Sequence, residues 1–163
     1  MFIGAINYAN TEKALEELYR WSGTAEKAAE FLIISEGGDV GCAFAIADQM
    51  HRLQRDGLNI TTHAMGWVAS AANLIMQAGD TRVMDKNAIL MIHHSYRTLS
   101  QKTTASIAQA SADRSGMFDQ KMFEVITERT NYDAKELIAR IGGTEYVVNS
   151  NQALLDGLAD RIA

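Results

Sequence analysis

Proline is absent from the 163 residues, and cysteine occurs only once, at Cys42. A single cysteine excludes an intrachain disulfide and a zinc site built from cysteines, and it fits a reducing compartment. No apolar run approaches the roughly 18 residues that span a membrane, and the N-terminus lacks the basic start and apolar length of a signal peptide. We therefore expect a cytoplasmic protein with no membrane partner.

Clusters of basic residues and metal-ligand patterns are also lacking. The chain has 15 Lys and Arg against 20 Asp and Glu, which gives a net charge of −5. This balance argues against a nucleic-acid partner, because such partners are bound through concentrated positive charge. His51 and His63 lie in predicted regular elements without polar company, and no histidine pair has metal-ligand spacing, so we expect no metal site.

The apolar pattern and the positions of Gly, Asn and Asp predict alternating strands and helices. Strands are predicted at 2–6, 31–34, 58–63, 82–84 and 88–92, and the continuous apolar run 31–34 is typical of a strand buried on both faces. Helices are predicted at 11–21 with Thr11 as the cap, from Gly38 to Gly57, and at 71–77, 107–130, 133–141 and 149–157. Residues 95–104 are predicted to be polar and extended. This order indicates βαβ crossovers, a largely parallel sheet and one domain over residues 1–163.

Three short motifs contain the groups that nucleophilic catalysis requires. Ser70 stands among small residues where a predicted strand meets a helix, Gly37-Gly38 follows a strand, and His93 and His94 end another. A serine hydroxyl needs a base to take its proton and N–H donors to hold the oxyanion. Each motif also has a structural interpretation: a helix cap, a turn, or a histidine of the core or surface. Together they indicate a serine hydrolase, and a peptidase first of all.

The acid that would orient the histidine is less clearly marked. The candidates near the C-terminus are Glu145, Asp156 and Asp160. Asp156 and Asp160 lie on either side of Gly157 at a predicted helix end, which favours structural or solvated roles. Glu145 follows Gly142-Gly143 in a loop-like stretch, from which its carboxylate could reach a histidine ring or remain solvated.

The order of these motifs resembles that of the ClpP-type serine peptidases, the proteolytic subunits of ATP-dependent proteases. Three segments carry the resemblance. The family's Ser-Pro-Gly-Gly is matched by Ser35-Glu36-Gly37-Gly38, and its Met-Gly-x-Ala-Ala-Ser by Met65-Gly66-Trp67-Val68-Ala69-Ser70. Its Met-Ile-His is matched by Met91-Ile92-His93. The resemblance runs from Phe2 to Asp160. It implies an α/β chain with the ClpP, crotonase-like fold, in which a parallel β-sheet with βαβ crossovers is joined by a long handle helix.

The resemblance also implies a catalytic triad. It selects His93 over His94 as the base for Ser70, and it places the family's aspartate on Glu145. A glutamate can hold the histidine tautomer as an aspartate does. The function implied is that of a serine endopeptidase that works through an acyl-enzyme without a metal or other cofactor.

Four further residues acquire a role from the resemblance. The backbone N–H groups of Gly38 and Ala71 would form the oxyanion hole, although the family usually has methionine where Ala71 stands. A strand near Asp39 and Val40 would pair with the backbone of an extended peptide.

The implied substrate is a peptide or an unfolded protein, and the implied assembly is a homo-oligomeric heptameric ring that could stack in pairs. The chain starts at the family's first core strand, so we expect no N-terminal axial loops for contact with an ATP-driven AAA+ unfoldase. Residues 96–104 replace the family's glycine-rich stretch before the handle helix, where two rings interlock. Ring stacking and unfoldase docking therefore stay open, and such trimmed relatives are similar to ClpP-like proteases of phages.

Two other classes of function fit part of the pattern. A crotonase-type acyl-CoA enzyme would use Glu145 and the paired glycines, and Ser70 and His93 would then be coincidental. A catalytically inactive ClpP-like subunit would persist as a ring scaffold. Binding of CoA thioesters, set against reaction with a serine-directed probe, distinguishes these classes.

Overall fold

Strands alternate with helices through residues 2–95 and 104–163, which are the residues that this computed structural model describes. The strands are β1 (Phe2–Ile3), β2 (Ala28–Ser35), β3 (Asn59–Ala69), β4 (Thr81–Met84), β5 (Ile89–Ile92), β6 (Tyr146–Asn149) and β7 (Arg161–Ile162). The helices are α1 (Tyr8–Ser22), α2 (Val40–Arg55), α3 (Ala72–Gln77), α4 (Ala105–Thr127), α5 (Ala134–Ile141) and α6 (Ser150–Asp156).

β3 connects the two parts of the sheet. It pairs in parallel with β2, with β4 along its first half and with β5 along its second half. β1 and β7 extend the sheet to the order β1-β2-β3-β4-β7, while β6 runs antiparallel beside β5. Because β3 and β5 are parallel, with Ala69 opposite Met91, their carboxyl ends open at the same edge of the sheet. Sites in parallel sheets form at such edges.

The core covers one face of the sheet more completely than the other. Phe31 and Ile33 of β2 are at most 2% exposed, and α3 is buried along its whole length, which explains its apolar composition. The alternate residues of β2, among them Leu32, are only half-buried. The prediction that residues 31–34 are buried on both faces is therefore wrong for this chain taken alone.

The ends of the later helices follow the predicted signals. Asp133 and Asn149 each accept a hydrogen bond from a backbone N–H in the first turn, at 2.9 Å and 3.0 Å. Gly157 ends α6 in the left-handed conformation, with φ of 76°, a geometry that glycine adopts without strain. The long helix predicted at 107–130 is present as α4, two residues earlier at its start, because the Thr104 side chain caps it.

Near the N-terminus the predicted boundaries are wrong. α1 begins at Tyr8 because the Asn7 side chain accepts a hydrogen bond from the Asn10 N–H at 3.0 Å, and Thr11 lies buried inside the helix. The first strand ends at Ile3, and Ile6 forms only an isolated bridge with Gly38. Most of the predicted extended stretch 95–104 lies outside the described residues.

Candidate active site

Ser70 occupies the turn between β3 and α3 in a left-handed conformation. Its φ of 55° is the one positive value among the described non-glycine residues, and such a conformation costs on the order of 1–3 kcal/mol. A hydrogen bond of 2.7 Å from the Ser70 N–H to the Met91 carbonyl holds the turn against β5. α3 is capped at Ala71 without any side-chain bond. The hydroxyl of Ser70 therefore has no helix-capping role.

The paired glycines pack directly against this turn. A Cβ on Gly37 would lie 2.6 Å from the Ala69 carbonyl oxygen, 2.7 Å from the Ser70 Cβ and 3.1 Å from the Ala71 nitrogen. With φ values of 91° and 144°, Gly37 and Gly38 adopt conformations that side chains rarely allow. No other residue type fits so close to Ser70.

The two predicted oxyanion donors lie next to Ser70. The Gly37 N–H donates to the Ser35 hydroxyl at 3.1 Å, which leaves Gly38 as the candidate of the pair. Among the described residues, neither the Gly38 nor the Ala71 N–H is taken up by another protein group. Gly38 lines the cleft at Ser70, whereas Ala71 is buried behind it. N–H groups without an internal partner are those available to a developing oxyanion.

His93 lies directly after β5 and shares a cleft of about 460 Å3 with Ser70. The cleft is also lined by Ala5, Glu36, Gly37, Gly38, Val40, Trp67, Met91 and Ser95. His94 is directed away from it: its Nδ1 lies 3.0 Å from the Asp119 carboxylate of α4, and its ring packs edge-on against Phe123. The structure thus brings one histidine of the pair to the serine.

Glu145 lies near His93 in the strand register but outside the cleft. The β5–β6 ladder ends with Ile92 opposite Tyr146, so the same register places His93 opposite Glu145 one residue further on. Directly opposed residues have Cβ atoms about 4.5–5.5 Å apart, a distance that a glutamate can span to an imidazole. Glu145 is exposed and has no hydrogen bond or ion pair with the other described residues.

The other two acid candidates have structural partners. Asp156 accepts hydrogen bonds from the Tyr146 hydroxyl at 2.5 Å and from Arg140 at 3.1 Å, which fixes the start of β6. Asp160 is paired with Arg82 at 2.6 Å. Neither residue lines the cleft.

The chain forms a helix rather than a strand from Val40 onward, so the strand expected near Asp39 and Val40 is absent there, while binding of a substrate backbone by these two residues stays a prediction. The Asp39 N–H donates to the Ile6 carbonyl at 2.9 Å, and its own carbonyl accepts from Ala43 at 3.1 Å. The Asp39 side chain caps α2 through the Cys42 N–H, and Val40 is the first residue of that helix. Of these two residues, Val40 lines the cleft at Ser70.

The structure shows three features of the site that the sequence motifs did not predict. Asn73 of α3 bonds to both the Ser70 turn and β5. Ser95 follows the histidine pair and is held by Asp119, which accepts from both its N–H and its hydroxyl. A second cavity of about 570 Å3 adjoins the cleft at Gly38, Val40 and Ser95, and α4 contributes Arg114, Ser115 and Phe118 to its wall.

Two further titratable side chains, His63 and Cys42, lie away from the cleft. His63 does have polar company, contrary to expectation: its ring nitrogens lie 2.9 Å from Glu30 and 2.8 Å from Asp85. Partial burial lowers the pKa of His63, but the two carboxylates outweigh this and raise it overall. Burial raises the pKa of the Cys42 thiol, so this cysteine remains protonated and unreactive at neutral pH.

No group of three or more His, Cys, Asp or Glu side chains within 2–95 and 104–163 has an arrangement that could hold a metal. Across the same two ranges, none of the helices has both the length and the apolar character that crossing a membrane requires.

A protein-family model described as Clp protease matches residues 1–163. The chain belongs to the Clp protease family. It is 30% identical over 132 residues to the ATP-dependent Clp protease proteolytic subunit 1 of Streptomyces avermitilis. That alignment covers 80% of this chain and 58% of the relative, so the chain spans little more than half the length of that Clp protease subunit.

Solved structures confirm the predicted fold. A point mutant of ClpP1 from Listeria monocytogenes matches with a TM-score of 0.84, over 99% of this chain and 88% of the other, at 21% identity. The mixed α/β architecture with its long helix α4 is therefore the ClpP fold.

Proposed function

We propose that this chain is a serine endopeptidase in which Ser70 is the nucleophile, His93 the general base and Glu145 the acid that orients the histidine. The observation that carries the proposal is the meeting of Ser70, His93 and Gly38 in one cleft, with Ser70 on a left-handed turn. A left-handed turn between a strand and a helix exposes the serine hydroxyl at the sheet edge. A serine with only a structural role would not require a left-handed turn at this place.

The reaction is acyl transfer in two stages. His93 takes the proton of Ser70 as Oγ forms a bond to the carbonyl carbon of a peptide. The tetrahedral intermediate then breaks its carbon–nitrogen bond, and the amine leaves with the proton from His93. Water attacks the resulting ester while its proton passes to His93, and Ser70 regains that proton as the acid product leaves.

The oxyanion of each tetrahedral intermediate is held by the N–H groups of Gly38 and Ala71. Both donors are positioned by the backbone before substrate binds, so the transition state is stabilised without reorganisation of the protein. The neighbouring glycine, Gly37, allows this arrangement because a side chain there would collide with Ser70. The mechanism uses no metal or organic cofactor.

The proposed substrate is a peptide or an unfolded protein, and the proposed setting is the cytoplasm. Proteins of this family form oligomeric rings and work with unfoldases. We propose a homo-oligomeric ring of seven copies for this chain, which folds as one domain.

A fluorophosphonate probe tests the nucleophile. The Oγ of Ser70 should displace fluoride from phosphorus in the wild type, and the adduct should map to the peptide that contains Ser70. Ser70→Ala should abolish labelling and reduce peptidase activity by several orders of magnitude. Ser115→Ala is the matched control, because this serine lines the neighbouring cavity and should leave labelling unchanged.

Labelling that persists in Ser70→Ala would refute Ser70 as the nucleophile. An unlabelled wild type that still assembles into rings would instead favour the inactive scaffold. An unlabelled wild type stabilised against heat by CoA thioesters would favour the acyl-CoA enzyme.

A further inference from the structure

Asn73 links the Ser70 turn to the strand that precedes His93. Its side-chain Nδ2 donates one hydrogen bond to the Ser70 carbonyl at 3.0 Å and one to the Met91 carbonyl at 2.8 Å. Both protons of the carboxamide are therefore used, one on each side of the β3–β5 boundary. Met91 is two residues before His93, so this one side chain bonds to the segments that carry both catalytic groups.

Backbone hydrogen bonds reinforce the same link. The Ser70 N–H donates to the Met91 carbonyl at 2.7 Å, and the Asn73 N–H donates to the Ser70 carbonyl at 3.0 Å. Each of the two carbonyls thus accepts one backbone and one side-chain donor. Loss of the Asn73 side chain would leave each carbonyl with its backbone partner, so neither would become an unpaired buried acceptor.

The burial of Asn73 suggests that its side chain is needed for more than packing. The residue is fully buried, in a helix whose buried neighbours are mainly apolar. Its Oδ1 is buried and has no hydrogen-bond partner among the described residues. A buried acceptor without a partner reduces stability, and an apolar side chain of similar size would avoid that loss. What the carboxamide uniquely supplies here is its pair of donors.

We propose that Asn73 is a positioning residue for the reaction, fixing the strained Ser70 turn against β5 and so setting the distance between Ser70 and His93. The inference rests on the proposed function. Asn73 touches neither the substrate nor the reacting atoms. Its loss should slow the chemical step, because small displacements of a nucleophile from its base reduce the rate steeply, while substrate binding in the cleft is retained.

The test compares four variants by peptidase kinetics, fluorophosphonate labelling rate and thermal midpoint. Asn73→Ala removes both donors and most of the side chain, and Asn73→Leu removes both donors but keeps a side chain branched at Cγ. Asn73→Ser restores a single donor that can reach the Ser70 carbonyl. Gln54→Ala is the matched control, because it removes an amide-to-carbonyl bond of 2.7 Å to Ala78 at the opposite end of α3.

We expect Asn73→Ala and Asn73→Leu to lower kcat and the labelling rate about 10- to 100-fold with KM within twofold of wild type. Asn73→Ser should recover part of the loss, and Gln54→Ala should keep wild-type rates. If Asn73→Ala does not fold, the Asn73→Leu variant, which also lacks both donors, decides by the same criteria.

A labelling rate within twofold of wild type in folded Asn73→Ala would overturn the inference. So would equal losses of kcat in Asn73→Ala and Gln54→Ala, since these would reflect general loosening of α3. Either result leaves the proposed function intact if the wild type is labelled at Ser70. A wild type that does not react with the probe refutes the proposed function, and the role of Asn73 with it.

Discussion

The groups of the candidate site reach the cleft through features of the main chain. Ser70 is presented by a left-handed turn, Gly38 by a glycine pair that packs on that turn, and His93 by the end of β5. The positions of Ser70 and Gly38 depend on positive φ values that few other residues adopt. Local substitutions at the glycines would therefore disturb the serine before they changed any chemistry.

Glu145 is the residue whose role most needs a test. We expect Glu145→Gln to lower kcat about 10²- to 10⁴-fold, because a neutral amide would not stabilise the imidazolium and would favour the wrong histidine tautomer. Peptide hydrolysis and probe labelling measure the effect. Glu26→Gln, an equally exposed glutamate in the turn before β2, is the control and should have no effect.

Unchanged kinetics in Glu145→Gln would assign Glu145 to the solvated loop that its exposure also fits. The acid partner of His93 would then have to come from another segment of the ring or of the chain.

At the scale of elements, the sequence predicted those helix ends that are determined by neighbouring residues. A cap such as Asp133 or Asn149 depends on atoms within three residues, and a glycine such as Gly157 depends on its own φ. The family motifs likewise placed Ser70 and His93 at the correct ends of their strands. These features could be predicted because the physical cause lies in adjacent residues.

The missed elements depend on distant partners instead. The short strands β6 and β7 were not predicted, and they are held in the sheet by pairing with β5 and β4. β3 continues to Ala69 through a register shift that adds residues opposite the end of β2. One hydrogen bond of Asn73 reaches the Met91 carbonyl, 18 positions along the chain. No pattern along the chain reports such contacts.

The C-terminal strand is attached to the sheet by a buried arginine. Arg82 of β4 is 2% exposed and bonds to Asp160 and to Gln77, at 2.6 Å and 2.5 Å. We expect Arg82→Ala to lower the free energy of unfolding by about 3 kcal/mol, at the low end for a broken buried pair, because Arg129 still bonds to Asp160. Urea denaturation measures the loss. Arg20→Ala breaks an exposed pair with Glu17 and should cost under about 1 kcal/mol.

The same pair makes stability depend on pH. Partial burial raises the pKa of Asp160, but its hydrogen bonds and ion pairs with Arg82 and Arg129 outweigh this and lower it. A lowered carboxyl pKa stabilises the fold above the unfolded value of about 4, and this stabilisation is lost as pH falls through the folded value. The difference in unfolding free energy between wild type and Asp160→Asn should therefore shrink on acidification; a difference constant with pH would contradict it.

At the scale of the whole molecule, the half-buried face of β2 and β3 suggests association between copies. Leu32 and His63 lie on this face with intermediate exposure, although parallel sheets are usually covered on both sides. We expect native mass spectrometry to find seven copies of the 17.9 kDa chain, or fourteen if rings stack. Ser70→Ala should assemble identically, since Ser70 lies in the cleft. A monomer at micromolar concentration would contradict the ring.

The conformation of Ser70 also limits which side chains this position accepts. With φ of 55° the backbone tolerates one γ atom, as in serine or cysteine, far better than the branched side chain of threonine. A cysteine at position 70 would therefore fit the same turn, whereas a threonine would strain it. The φ angle of residue 70 thus restricts which reactive groups this turn can present.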